Sequence, residues 1–306
     1  MSLVSIIRGR RGASGFGYAS TAEEVTEGLD LRGKTVLITG INSGLGAESG
    51  RVLAARGARI VGSARTHDKA AAACRALGPD AIPVACELSE PSSVRACVEE
   101  VRRSGVTLDV LLCNAGIMAL PQRTIVHGQE LQLLTNHVGH FILVTGLLDR
   151  LAERGRVVML SSEAHRMAPA AGIQLDDLTF ERGYRAWPAY GQSKLANLLF
   201  ARSLAKRFSG SQRTANAVHP GVIHTNLGRH MNALARAGSA LMTAIAWKDV
   251  HQGAATQCYV AVHPSLESVS GEYFVDCNVA RPSRAGRDAA LAEKLWARTE
   301  EIVAAL

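Results

Sequence analysis

The segment Lys34-Thr-Val-Leu-Ile-Thr39 is a β-branched, apolar run that passes directly into Thr39-Gly40-Ile41-Asn42-Ser43-Gly44-Leu45-Gly46, then into an Ala-rich amphipathic stretch reaching Arg56. Few architectures contain such a junction. A strand that turns through glycines into a helix leaves the first helical N–H groups and the positive end of the helix dipole facing outward, where they attract phosphate. Gly40 permits the tight turn, Gly44 lets the backbone approach a pyrophosphate, and Gly46 permits close helix–strand packing. The spacing T-G-x-x-x-G-x-G is one residue wider than G-x-G-x-x-G. Alone, the glycines would suit an ordinary turn. Between a strand and a helix near the start of a domain, they mark Gly40, Asn42, Ser43, Gly44, Leu45 and Gly46 as contacts for a dinucleotide.

The alternation continues along the chain. Strands are expected at 58–63, 81–86, 108–113, 156–160, 213–218 and 272–276. Helices are expected up to about Leu77 and at roughly 91–104, 124–151, 187–208, 250–263 and 286–305. Apolar strands alternating with helices of ten or more residues predict the α/β class, a single-domain, Rossmann-like, doubly wound parallel sheet flanked by helices. The domain is expected to span 33–306. Before it, residues 1–32 form an N-terminal arm, loosely held over 1–19, and a short helix with capping-box spacing at Thr21-Ala-Glu-Glu24.

Composition narrows the function. The net charge is +7, but Lys and Arg are scattered and only Arg8-Gly9-Arg10-Arg11 clusters. Zinc-finger spacing, an RNA-binding aromatic motif and a basic region with heptads are all missing, so nucleic acid is not an expected partner. The six cysteines form no C-x-x-C pair and several lie in strand-like runs, which points to reduced thiols inside the cell. His137 and His140 are spaced for packing or hydrogen bonding rather than metal, and no metal is expected. The N-terminal apolar run is too short for a secretory signal and no stretch approaches a spanning helix, so a cytoplasmic protein is expected.

The end of the second strand discriminates between cofactors. An NAD site places an acid there for the ribose 2′-hydroxyl, but this chain has Ser63-Ala64-Arg65. Arg65 can fork onto a 2′-phosphate, so NADP(H) is expected over NAD(H). Tyr190-Gly191-Gln192-Ser193-Lys194 puts a phenol and an ammonium one turn apart on a helix face, where the cation would favour the phenolate. Ser161-Ser162 ends the strand Arg156–Leu160, and Asn114-Ala115-Gly116 ends the strand before it. Both face the cofactor side, since ligands bind at the carboxyl ends of strands. Asn114 also suits a strand-end cap.

Taken together and in order, these motifs resemble the classical short-chain dehydrogenase/reductase family over roughly residues 33–280. Cys113-Asn114-Ala115-Gly116 is similar to the family's N-N-A-G terminus, with Cys113 in place of the first Asn. The resemblance implies that Tyr190 is the general acid or base and that Lys194 lowers its pKa and holds the nicotinamide ribose. It further implies that Ser162 binds the substrate oxygen and that Asn136 supports a proton relay. By the same resemblance Glu87 and Leu88 contact the adenosine, with Glu87 replacing the family's usual Asp. Asn114, Ala115 and Gly116 line the cofactor, and Pro220, Gly221 and Thr225 close over the nicotinamide. The runs Asn136–Phe141, Ser193–Asn197, Val218–Gly221 and Gly271–Phe274 resemble the retinol-dehydrogenase-like branch, which includes the oxidoreductase part of the WW-domain oxidoreductase. That branch mostly prefers NADP(H), and the family commonly forms homo-oligomers.

The implied function is interconversion of a carbonyl and an alcohol on a lipophilic small molecule. Residues 163–188 and 222–248 are expected to wall the substrate cleft. The second stretch, with Leu227, Met231, Leu234, Leu241, Met242, Ile245 and Trp247, suits an apolar lid, a helix packed on the core or a partner, or a face for peripheral membrane contact. Two other functions stay open at this point: a redox-neutral dehydratase or epimerase with a held nucleotide, and a non-catalytic NADP(H)-sensing scaffold.

Overall fold

The computed structural model describes residues 9–223 and 248–306. Strands β1 (Thr35–Thr39), β2 (Arg59–Ala64), β3 (Ile82–Ala85) and β4 (Leu108–Cys113) alternate with helices in the first half. A small antiparallel hairpin, β5 (Ile125–Val126) and β6 (Gln129–Glu130), stands apart from the main sheet. Strands β7 (Leu151–Leu160), β8 (Thr214–His219), β9 (Tyr273–Val275) and β10 (Asn278–Val279) follow. The main sheet has eight strands in the order β10-β9-β8-β7-β4-β1-β2-β3. All neighbours pair in parallel except β9 and β10, whose antiparallel edge was not anticipated.

Registers such as Val36↔Ile60 and Val36↔Val110 put β1 at the centre. From there the chain winds outward through β2 and β3, then crosses to β4. The strand order therefore reverses between β1 and β4, and a crevice opens at their carboxyl ends, where ligands bind in such sheets. Leu37, Leu111, Val157 and Ala217 face one apolar layer; Val36, Ile38, Leu112 and Val158 face the other. Side chains buried on both faces explain why the strands read as unbroken apolar runs.

Helices lie where they were expected, with bounds shifted or shortened by a few residues. They are α1 (Ala22–Val25), α2 (Gly44–Ala55), α3 (His67–Arg75) and α4 (Pro91–Arg103). Thr21 and Glu24 close the expected capping box of α1. The helix expected over 124–151 is shorter and broken. Left-handed backbone at His127 and Gly128 turns the β5–β6 hairpin. Then come α5 (Leu131–Leu133), a π-helical turn (Leu134–Val138) and α6 (Gly139–Gly146). The later helices are α7 (Ala186–Arg207), α8 (Val250–Val262) and α9 (Ala289–Ala305). Among the described residues, no helix is long and apolar enough to cross a membrane.

The described part of the arm departs from expectation. The Ser14 N–H donates to Asn278 Oδ1 at 3.0 Å, and Asn278 Nδ2 donates to the Phe16 carbonyl at 3.0 Å. The Phe16 ring meets Tyr259 edge-on at 5.5 Å and His263 at 5.9 Å. A small, Gly-rich composition signalled looseness, but one aromatic and one side-chain amide suffice to tie the segment to the sheet edge. Phe16→Ala should therefore lower stability by about 1–2 kcal/mol. It should also speed tryptic cleavage after the already exposed Arg10 and Arg11; an unchanged urea midpoint and digestion pattern would mean that the arm is not held.

Candidate active site

The glycine loop sits at the β1–β4 crevice. Gly40 and Gly44 have φ of 74° and 56°, left-handed values that favour glycine. A Cβ on Gly46 would lie 2.3 Å from the Gly40 carbonyl oxygen and 2.7 Å from Asn114 Nδ2. Ser43, the N-cap of α2, makes no side-chain capping bond, and the first turn carries no acid. The helix end thus presents N–H donors and positive dipole without a protein anion, which fits the pyrophosphate of a dinucleotide.

Thr39 joins the loop to β4. Its Oγ accepts the N–H groups of Asn114 and Ala115, each at 2.9 Å, while Asn114 Nδ2 donates to the Thr39 carbonyl at 2.8 Å. Thr39 Oγ also lies 2.9 Å from His140 Nε2. His140 Nδ1 sits 2.9 Å from the Asn136 carbonyl, which only accepts, so Nδ1 carries the proton and Nε2 receives the Thr39 hydroxyl proton. Burial holds the His140 pKa down at about 4, keeping the ring neutral. His137 is likewise buried and bonds Thr299 Oγ.

Asn136 occupies the π-helical turn. Its Oδ1 accepts the Ile117 N–H at 2.8 Å, and its Nδ2 donates to the Ile117 carbonyl and to Ser193 Oγ, each at 2.9 Å. The side chain thus clamps the loop after β4 onto the helix that carries Tyr190 and Lys194. Gly116 is wedged beside it: a Cβ there would stand 2.9 Å from Asn136 Oδ1 and 3.4 Å from Lys194 Nζ.

Tyr190 and Lys194 lie on α7, 5% and 2% exposed. Gly191 lets this helix press on the turn after β7, for a Cβ would come within 2.6 Å of the Ala164 carbonyl. That turn begins with Ser162, whose Oγ accepts the Ala164 N–H at 3.1 Å and whose hydroxyl pulls the Tyr190 phenol pKa downward. Lys194 Nζ donates to the Leu160 carbonyl at 3.1 Å and lies 5.7 Å from the Tyr190 ring centre. Burial pushes the Tyr190 phenol up to about 12, against a smaller downward pull from Ser162, and burial pushes Lys194 down to about 8. The expected lowering of Tyr190 by Lys194 is therefore not what governs the phenol here. Desolvation dominates, because both groups are inside and, among the described residues, the ammonium bonds only a neutral carbonyl.

At the far end, Arg65 stands at the tip of β2, 56% exposed, with its Nε 4.0 Å from Glu87 Oε2. Glu87 also accepts from the Ser89 hydroxyl at 2.9 Å. Leu88, expected beside the adenosine, has its side chain buried in the core and its carbonyl against Gly139. Pro220 and Gly221 follow β8 as expected, and Gly221 lies against the Lys248 chain. Thr225 and the apolar residues between Leu227 and Trp247 lie outside the described residues. Sequence reading missed Lys248, which is buried and donates to Asp276 at 2.5 Å. It also missed Gln257, which donates to Ser49 Oγ at 2.6 Å behind the glycine loop. Neither carries a motif that would mark it.

The sequence profile of short chain dehydrogenases matches residues 34–174. Short-chain dehydrogenase TIC 32 B, chloroplastic, from Brassica napus is 42% identical over 97% of both chains. Human retinol dehydrogenase 14 is 37% identical over 90% of this chain and 88% of its own. The chain belongs to the short-chain dehydrogenase/reductase family. Among solved structures, an uncharacterised protein from Mycobacterium paratuberculosis is 36% identical, with a TM-score of 0.75 over 92% of this chain and 97% of that one. A short-chain dehydrogenase from Burkholderia cenocepacia in complex with NADP is 26% identical, with a TM-score of 0.65 over 80% and 96%.

Two outcomes follow for this short-chain dehydrogenase. Thr39→Val strands one buried and one part-buried N–H group and should cost about 1–3 kcal/mol, read from urea unfolding. Lys194 has its folded pKa, about 8, below the ordinary lysine value of 10.5, so the unfolded chain binds more protons between those values. Stability should then rise with pH across that window. Lys194→Met should be more stable than the parent at pH 7, with the advantage shrinking as pH rises from about 8 to 10.5; a constant difference would place Lys194 in water.

Proposed function

We propose that this protein interconverts a carbonyl and an alcohol on a lipophilic small molecule, using NADP(H). The observation that carries the reading is the convergence of Tyr190, Ser162, Lys194 and Asn136 beside an uncapped glycine loop at the strand-order reversal. A nicotinamide dinucleotide, when bound, supplies or accepts the hydride. The residues of the chain manage the proton and the geometry.

Tyr190 gives its phenolic proton to the substrate oxygen in reduction and takes it back in oxidation. Ser162, with an oxygen lone pair committed to the Ala164 N–H, keeps its own proton free to bond that oxygen. Lys194 has further N–H donors beyond the one on the Leu160 carbonyl, suited to ribose hydroxyls, and its charge favours the Tyr190 phenolate as the proton leaves. Asn136 holds the Ile117 loop and the α7 turn in register. Gly40, Asn42, Ser43, Gly44, Leu45 and Gly46 hold the pyrophosphate. Asn114, Ala115 and Gly116 line the middle of the nucleotide, and Pro220 and Gly221 its nicotinamide end.

Support for NADP(H) is the exposed Arg65 where an NAD site has an acid, together with Glu87 close enough to orient the guanidinium. A relative bound to NADP and another bound to NADPH are consistent with it. Support for a lipophilic substrate is the exposure of Met167, Trp187 and Val222, which follow or precede the site residues. The Trp187 ring stands edge-on to Tyr190 at 6.1 Å. Relatives named retinol dehydrogenases support the alcohol–carbonyl chemistry.

Tyr190→Phe should reduce turnover of aldehydes or ketones by about 10²–10⁴-fold while NADPH still binds by fluorescence titration. Retained turnover would remove Tyr190 from the reaction. Arg65→Ala should weaken NADPH by about 10-fold or more, from the loss of a charge-assisted bond, and leave NADH nearly unchanged. Equal loss for both would assign the 2′-phosphate to another group.

A further inference from the structure

The turn that carries Ser162 is held by a histidine outside the catalytic motif. His165 is 1% exposed and lies in the 3₁₀ turn Glu163–Met167. Its Nδ1 is 2.7 Å from the Ser162 carbonyl, and its Nε2 is 3.0 Å from the Ser283 backbone nitrogen. The carbonyl can only accept and the amide can only donate. The ring is therefore neutral, protonated at Nδ1, with both nitrogens committed. The Ser162 carbonyl also accepts the His165 N–H at 3.0 Å.

The surroundings leave this ring little freedom. The Tyr273 ring packs on it edge-on at 5.1 Å, and the Tyr273 hydroxyl donates to Glu163 at 2.9 Å. Arg166 bonds Glu163 and reaches the Arg281 carbonyl at 2.6 Å, a second tie to the same C-terminal segment. On the other side the turn abuts Gly191, next to Tyr190. Any rotation of the turn would shift the Ser162 hydroxyl against the Tyr190 phenol.

We propose that His165 is a positioning residue: by bridging the Ser162 carbonyl to the Ser283 amide, it makes residues 281–283 part of the support that sets Ser162 against Tyr190. This rests on the proposed role of Ser162 and Tyr190. His165 itself exchanges no proton with substrate.

His165→Phe keeps a ring against Tyr273 and offers neither bond. His165→Asn retains a donor at the position of Nδ1, whereas His165→Gln retains an acceptor near Nε2 and loses the Ser162 bond. With the full-length protein, His165→Phe should lower kcat by about 10-fold to 100-fold, the scale of a misplacement near 1 Å. Its NADPH dissociation constant should stay within about twofold, since neither lost bond involves a residue of the glycine loop. His165→Asn keeps the Ser162 bond without the Ser283 bond, and His165→Gln keeps the Ser283 bond without the Ser162 bond, so each should hold kcat at least about 5-fold below the parent. Normal kcat in His165→Phe, or parental kcat in either the Asn or the Gln variant, overturns the proposal. If His165→Phe does not fold, the Asn and Gln variants decide alone. Tyr190→Phe separates the two readings. If it keeps turnover, the catalytic assignment fails; if it is inactive while the His165 variants behave as the parent, only the positioning role fails.

Discussion

A single hydroxyl, that of Thr39, connects the nucleotide loop to the helix bearing Tyr190 and Lys194. It accepts two backbone N–H groups from the segment after β4 and donates to His140. His140 donates to the Asn136 carbonyl, Asn136 donates to Ser193, and Ser193 donates to the Tyr190 carbonyl at 2.8 Å. Every link but the part-buried Ala115 amide is buried, and every direction is forced by what its partner can give or take. Such a chain is stiff, because an error at any link leaves a buried polar group unpaired. It explains how a turn after β1 and a helix some 150 residues later are held in fixed relation.

The same burial that stiffens the site makes it costly. Lys194 is inside the fold without a carboxylate partner, and Tyr190 is inside with a phenol pushed up to about 12. A core built for stability alone would place apolar side chains there. The cost becomes intelligible if the ammonium awaits hydroxyl acceptors on a ligand and the phenol a carbonyl oxygen, both arriving at a water-poor crevice. The uncapped start of α2 fits the same logic, being short of an anion that the chain does not provide.

Much of this was legible before any coordinates. Alternating apolar strands and helices declared the doubly wound sheet, because strands buried on both faces must be continuously apolar. The loop from Gly40 to Gly46, the Tyr190–Lys194 spacing and Ser162 were visible because close backbone approach and helical periodicity leave local traces. Less visible were features set by pairs far apart in sequence. The π-helical turn around Asn136, the β9–β10 edge, the docking of Phe16 and the Lys248–Asp276 pair all depend on partners the local pattern does not announce.

The sequence by itself determined the fold class, the glycine loop between strand and helix and the identity of the groups that face the crevice. These rest on periodicity, on glycine's freedom at positive φ and on side-chain chemistry, all of which are local. Only the tertiary structure decided how those groups are charged and held. It buried Lys194 and Tyr190 enough for desolvation to outweigh their mutual influence, turned Leu88 into the core, and set Arg65 beside Glu87. It also placed His165 between Ser162 and a C-terminal segment more than a hundred residues away. Electrostatics and hydrogen-bond direction depend on what surrounds a group in space, and that is fixed only when distant segments pack.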